Sequence, residues 1–204
     1  KRKLLHFQVK IFLMRKIKFI NCKIDISRKV FSPRIETEFW VKKAIKEIRK
    51  IKKPFDILDV FAGAGCIGIS ILKAYPEICQ GACFIDIDKE AIEQIKINLR
   101  FNKIYKKRYK IYQSNLFEKI KNNKYDFIFA NSPYVALDRI YEVQKEVLER
   151  DPHTALFAGK NGMDYIKKFL SQVKKYLKPN GKIFLEFDPF QKEEIKGILE
   201  KKDF

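Results

Sequence analysis

The chain has little of what metal and disulfide sites are built from. Its 204 residues include two histidines, His6 and His153, and four cysteines, Cys22, Cys66, Cys79 and Cys83, none in a Cys-x-x-Cys pair. A zinc site is not expected. Long apolar runs are also missing. The apolar N-terminal stretch is interrupted by Lys10, Arg15, Lys16 and Lys18, which argues against a signal peptide, and no run reaches the length of a membrane span. A reducing cytoplasm is the expected location. Acidic residues are scarce beside basic ones: 25 Asp and Glu against 44 Lys and Arg, a formal charge of +19. Two explanations stand for that excess. One is a polyanionic partner such as RNA or DNA. The other is compositional drift toward Lys, because only nine of the 44 basic residues are Arg and Lys on exposed faces is mostly solvated.

The apolar share of 46% can bury a core, and the length fits one domain, or one domain with a small appendage. Residues 9–20 and 22–31 read as two strands of a hairpin ended by Pro33, giving a hairpin region over 1–32 and an α/β domain over 33–204. A helix opens at Glu36 or Thr37 and runs to about residue 52, with Phe39, Trp40, Ala44, Ile45 and Ile48 on one face; Pro54 closes it. Short β-rich strands then alternate with amphipathic helices. The strands fall at 55–60, 82–86, 109–113, 125–130 and 182–187, and the helices at 66–75, 89–101, 141–149, 162–177 and 191–201. This pattern predicts an α/β fold with a mostly parallel sheet covered by helices on both faces.

The loop after the strand at 55–60 carries Phe61-Ala62-Gly63-Ala64-Gly65 and leads into a helix at Cys66. Its glycines allow a sharp turn and close approach of a ligand to the backbone beside the helix N-terminus. Asp86 ends the next strand, where a carboxylate can accept hydrogen bonds from a ribose diol. Gly63-x-Gly65-x-x-Gly68 also satisfies the dinucleotide fingerprint. Asp59, four residues before Gly63, tilts the reading away from it, because an acid there suits a ligand with an ammonium group and repels a pyrophosphate. A packing role for the glycines stays open.

Asn131-Ser132-Pro133-Tyr134 follows the strand at 125–130, at the carboxyl edge where open parallel sheets bind ligands. An amide or aryl NH2 is a poor nucleophile because its lone pair is delocalised. The Asn131 side-chain oxygen and the Ser132 carbonyl could hold its two hydrogens and aim the lone pair at a sulfonium methyl, with Tyr134 over its plane. Catalysis would then be positioning and electrostatics, with no metal required. An ordinary Asn-Ser-Pro turn is the alternative.

These residues resemble the class I, Rossmann-like methyltransferases that modify the glutamine of the Gly-Gly-Gln motif in peptide-chain release factors. The resemblance rests on Pro33-Arg34-Ile35-Glu36-Thr37-Glu38, on Asp59 with Gly63 and Gly65, on Asp86, and on Asn131-Ser132-Pro133-Tyr134. Further matches are Ser114-Asn115-Leu116-Phe117, Asp151-Pro152 with Ala155-Leu156, and Leu185-Glu186 with Gln191. The Pro-Arg-x-Glu-Thr-Glu segment is the most discriminating, because adenine methyltransferases share the Asn-Pro-Pro-Tyr motif but usually not this one. The resemblance implies S-adenosyl-L-methionine as cofactor, cradled by Phe61, Ala62, Gly63, Ala64 and Gly65. Asp59, Asp86 and Ile87 belong to the same cofactor side, Asn115 and Leu116 lie along the adenine, and Asn131 contacts both cofactor and glutamine. It also implies a release-factor substrate and a role in translation termination. The sequence departs from the family where Ser132 replaces a Pro, Phe61 a Gly, Asn115 an acid and Asp188 a Gly. The family's helical N-terminal domain and two final strands have no counterpart here, so a fragment or reduced form is expected.

Two other readings compete: methylation of an adenine amine in RNA or DNA, and a basic nucleic-acid-binding module on an inactive fold. The positive charge is also compatible with a weak secondary contact to nucleic acid or the ribosome. Basic residues gathered around Asn131 would favour a nucleic-acid substrate; basic residues scattered elsewhere would favour a protein.

Overall fold

A computed structural model describes residues 16–202. It opens with a hairpin, β1 (Lys16–Phe19) and β2 (Cys22–Asp25), followed by α1 (Ile35–Ile48), β3 (Phe55–Val60), α2 (Cys66–Ala74), β4 (Cys79–Asp86) and α3 (Lys89–Phe101). β5 (Tyr109–Gln113), β6 (Tyr125–Asn131), α4 (Lys145–Arg150), α5 (Asp164–Gln172), β7 (Leu177–Glu186) and α6 (Lys192–Glu200) complete it. The sheet runs β5-β4-β3-β6-β7 with every pair parallel. The chain winds outward from β3 to β5 and then returns to β6, so the strand order reverses between β3 and β6. The carboxyl ends of those two strands flank the crevice where such sheets hold ligands. Among the described residues no helix is long and apolar enough to cross a membrane.

Several boundaries differ from the expectation. The hairpin strands are shorter than predicted: residues 9–15 lie outside the described region, and β2 stops because Asp25 Oδ1 accepts from both the Ser27 amide (2.9 Å) and its hydroxyl (2.5 Å), turning the chain. α1 ends four residues early in tight turns, with Lys50 N–H bonding Glu47 and Ile51 N–H bonding Ile48. Its buried face is Thr37, Val41, Ala44 and Ile48. Phe39, predicted on that face, is 61% exposed, because the buried set follows steps of four and three residues and position 39 falls between them. The helix predicted at 141–149 is confined to Lys145–Arg150 after short 3-10 turns, and that at 162–177 ends as α-helix at Gln172. β7 begins at Leu177, earlier than predicted, because residues 178–181 bulge out between the pairs Tyr125–Leu177 and Phe127–Lys182.

Strand periodicity builds two cores, one per sheet face. Phe55, Ile57, Phe84, Phe127 and Phe129 pack with α1, α2, α3 and the hairpin. Leu58, Val60, Cys83, Ile85 and Ile128 face α5 and α6. The hairpin is held to the first of these layers by buried amides of α3. Asn98 Oδ1 accepts from Asp25 N–H (2.7 Å), and its Nδ2 donates to the carbonyls of Asp25 (3.0 Å) and Ala64 (2.9 Å). One side chain thereby fixes both the hairpin and the loop after β3.

α2 rests on β3 through Gly68, which a larger residue could not replace. A Cβ there would lie 2.4 Å from Phe84 Cε1 and 3.0 Å from Asp59 Oδ2. Gly68→Ala is expected to lose about 1–3 kcal/mol of stability through overpacking, measured as a lower urea midpoint at constant m-value. An unchanged midpoint would show that the helix can lift off the strand freely.

Candidate active site

The crevice opens into a pocket of about 680 Å³ lined by the loop after β3, the ends of β4 and β6, the segment before α1, and residues 142–156. Its floor is the turn Phe61–Gly65, closed by a Gly65 N–H bond to the Ala62 carbonyl (2.7 Å). Phe61, Gly63 and Gly65 all have positive φ (57°, 52° and 74°). For Phe61 this conformation costs about 1–2 kcal/mol, and its ring packs against α5, 6.2 Å from Tyr165 and 6.4 Å from Phe169. Phe61 still lines the pocket. Asp86 ties this floor to the next strand: Oδ2 accepts from Gly63 N–H (2.8 Å) and Oδ1 from Asp88 N–H (2.9 Å). Burial raises the Asp86 pKa above the ordinary carboxylate value, against the lowering effect of those two bonds.

Asp59 stands one layer behind the floor and is absent from the pocket wall. It is fully buried; Oδ2 accepts from Gly68 N–H (2.9 Å), while Oδ1 has no partner. Burial pushes its pKa up to about 8, and the Asp86 carboxylate adds to the rise.

A hydrogen-bond network organises the opposite wall. Glu186, at the end of β7, is 8% exposed. Its Oε2 accepts from Thr37 Oγ1 (2.7 Å) and Trp40 Nε1 (2.7 Å), and its Oε1 from Tyr134 OH (3.1 Å). Thr37 Oγ1 in turn accepts from Asn131 Nδ2 (3.3 Å). The direction is forced from Glu186 outward: a carboxylate only accepts, so Thr37 donates to it and keeps a lone pair for an N–H. Asn131 therefore spends its NH2 on Thr37, and its Oδ1 remains as an acceptor. Gln191 braces the loop from behind, donating from Nε2 to the Tyr134 carbonyl (2.9 Å). The Ser132 hydroxyl is buried without a partner.

Residues 135–158 cover the pocket. Val135 and Phe157 form a parallel bridge, and Arg34 pairs with the fully buried Asp151 carboxylate, joining this cover to the segment before α1. Of the lining residues one is basic, Arg34, and four are acidic: Glu36, Asp86, Asp88 and Glu142.

Residues 45–160 match the model of the methyltransferase small domain. The chain belongs to that family. A release factor glutamine methyltransferase from Clostridium acetobutylicum is 32% identical over 197 residues, covering 95% of this chain and 67% of the relative. One from Aquifex aeolicus (strain VF5) is 30% identical over 179 residues, covering 88% and 62%. The chain thus spans between three fifths and two thirds of these curated relatives. The solved structure of Methanocaldococcus jannaschii Trm5 in complex with adenosine shares the fold at TM-score 0.63 and 19% identity, over 93% of this chain and 47% of that one. The fold is that of the class I S-adenosylmethionine-dependent methyltransferases.

In this methyltransferase small domain, Phe61, Ala62, Gly63, Ala64, Asp86, Ile87, Asn115, Leu116, Asn131, Ser132, Pro133 and Tyr134 meet in one pocket, whereas Asp59 and Gly65 do not line it. Asn115 turns its Nδ2 to Glu118 (2.8 Å). Sequence reasoning gave no role to Thr37, Glu186 or the Arg34–Asp151 pair. Each sits in a quoted motif, but the partners lie 149 and 117 residues apart, and spacing carries no signal for that.

Glu186→Ala would strip three donors of their acceptor and is expected to destabilise by about 2–5 kcal/mol in urea unfolding; a loss below about 1 kcal/mol would mean that water replaces the carboxylate. Asp59 gives a pH signature. Its folded pKa lies above the unfolded value of about 3.9, so the folded state binds the extra proton, and stability is lost as pH rises from about 4 through about 8. Asp59→Asn mimics the protonated form and should flatten that part of the stability profile; a slope equal to wild type would assign the titration to another group.

Proposed function

We propose that this chain transfers a methyl group from S-adenosyl-L-methionine to the side-chain amide nitrogen of a glutamine, in the Gly-Gly-Gln motif of a peptide-chain release factor. The pocket fits that cofactor. Its volume lies within the usual range for small-molecule sites, and a Cβ built on Gly63 meets nothing within 4 Å, leaving room for a ligand against the loop backbone. Asp86 keeps carboxylate lone pairs for ribose hydroxyls, and Leu116 with Ile87 gives an apolar wall for the adenine. When bound, S-adenosyl-L-methionine supplies an electrophilic methyl group on a sulfonium centre.

The chain's own residues do the orienting. Asn131 Oδ1 and the Ser132 carbonyl accept the two amide hydrogens of the glutamine, which turns the nitrogen lone pair toward the methyl. Tyr134, fixed by Glu186 and with its pKa raised by burial, stays a neutral phenol and covers the amide plane. Neither group acts as a strong base. As the nitrogen gains the methyl, the electron pair of the broken carbon–sulfur bond stays on the sulfur, which leaves as a neutral thioether, and the nitrogen's surplus proton passes to water. The rate gain comes from position and from acceptors set before the substrate arrives.

The charge of the mouth carries the choice of substrate. Four carboxylates line the pocket; Glu142 is paired with Arg139, which leaves Glu36, Asp86 and Asp88 without a cationic partner among the described residues, and the one basic lining side chain, Arg34, is committed to Asp151. A phosphate backbone would be repelled from this opening, whereas a polypeptide loop would not. The relatives named release factor glutamine methyltransferase support the same substrate.

Labelled methyl from S-adenosyl-L-methionine should reach purified release factor and not DNA or RNA, and Asn131→Ala should lower the rate on the order of 10²–10³-fold. Transfer to nucleic acid alone, or an Asn131→Ala variant as active as wild type, would sink the reading.

A further inference from the structure

From residue 94 to residue 117 the chain holds seven basic residues and no acidic one. Two of the seven have polar partners, and a third, Lys106, holds its ammonium over the Tyr109 ring (4.8 Å to the centroid). Lys96 pairs with Glu93 (2.6 Å), and Arg108 turns inward to cap the carbonyls of Leu72, Tyr75 and Cys79. The other five, Arg100, Lys103, Lys106, Lys107 and Lys110, are exposed, and no ion pair reaches them among the described residues.

Tertiary structure adds to this patch from the hairpin. Lys18 and Lys23 face each other across the β1–β2 ladder, an arrangement of like charges that costs stability. Lys23 is held beside the patch by Asn102, which accepts from its amide (3.3 Å) and donates to its carbonyl (2.8 Å). Two aromatic rings lie along this stretch: Tyr105 is 73% exposed, and Phe101, 39% exposed, is covered by the Lys16 ammonium (4.7 Å to the centroid). Compositional drift would scatter lysines among carboxylates, as at Lys42–Glu38, Lys167–Glu194 and Lys182–Glu47. Here residues 94–117 carry no carboxylate of their own, and the nearby Asp25 of the hairpin faces Lys16 across the β1–β2 ladder.

The patch lies away from the pocket. The loop carrying Lys103 to Arg108 enters β5, and the pocket residues Ser114 and Asn115 leave it. A strand of this length sets the two roughly 15 Å apart, at opposite ends of the sheet.

We infer that this end of the molecule is a docking surface for single-stranded nucleic acid. Arg100, Lys103, Lys106, Lys107 and Lys110 follow the phosphates, and Tyr105 offers a face on which a base stacks. The exposed rings favour an unpaired strand over a duplex, whose bases are hidden from a stacking face. The surface is a loop and an edge strand, not the amphipathic helix that lies in a lipid interface. The inference goes beyond methyl transfer and does not depend on it.

The test is fluorescence anisotropy of a labelled 20-nucleotide oligouridylate titrated with the full chain at several salt concentrations. Binding should weaken with salt, with log K falling against log salt at a slope of about −3.5 for five phosphates. Replacing Lys103, Lys106, Lys107 and Lys110 together by Gln should weaken binding at 50 mM salt at least tenfold and bring the slope to about −0.7. Tyr105→Ala should weaken it about tenfold with the slope unchanged. Both variants should keep the wild-type melting temperature, which separates loss of binding from loss of fold. The inference is overturned if wild type does not bind the oligonucleotide at low salt, or if the four-Gln variant binds as wild type does. It is equally overturned if Tyr105→Ala has no effect while polyglutamate or phosphatidylserine vesicles bind as tightly as the oligonucleotide.

Discussion

The geometry of the site depends on one carboxylate. Glu186 accepts hydrogen bonds from Thr37, Trp40 and Tyr134, which come from α1 and from the loop after β6. Because it can only accept, it sets the direction of every bond attached to it. Thr37 must give its proton to Glu186 and therefore receive one from Asn131. The free atom of the Asn131 amide is then its oxygen, the acceptor that the proposed amide substrate would need. The same carboxylate holds the Tyr134 ring in place. A polar network of this kind is stable only when complete, and here Gln191 completes it by fixing the Tyr134 backbone.

The other wall rests on a different economy of groups. Asp86 joins the loop after β3 to the end of β4 through two backbone amides. Asp59 serves packing instead: it lies on the α2 side of the sheet, held by Gly68 in a space where a side chain on Gly68 would not fit. One end of the sheet thus gathers carboxylates around a pocket, while the opposite end gathers unpaired cations around Tyr105. The net charge of +19 conceals this separation, and the separation bears on partners more than the total does.

Much of the fold was legible. The bounds of β3, β5 and α3 coincide with those read from short apolar runs and helical periodicity, since these elements are buried on regular faces. Errors fell where local bonds overrode the pattern: the Ser27 turn onto Asp25, the bulge at 178–181, and Phe39, which lies outside the buried stripe. Phe61 was visible as a departure from a glycine pattern. Its left-handed backbone gives the reason a glycine suits that position, and the contacts with Tyr165 and Phe169 show where the ring goes instead.

By itself, the sequence determined the alternation of strand and helix, the glycine turn after β3, and the polar segment after β6. Each is encoded within a few residues by periodicity and backbone preference. Only the tertiary structure decided which acids serve the pocket, which cations are left unpaired, and which way the Asn131 amide points. Those outcomes depend on contacts between residues a hundred or more positions apart, such as Thr37 with Glu186 and Arg34 with Asp151. Desolvation gives such contacts their direction and strength, and desolvation exists only once the chain has closed around them.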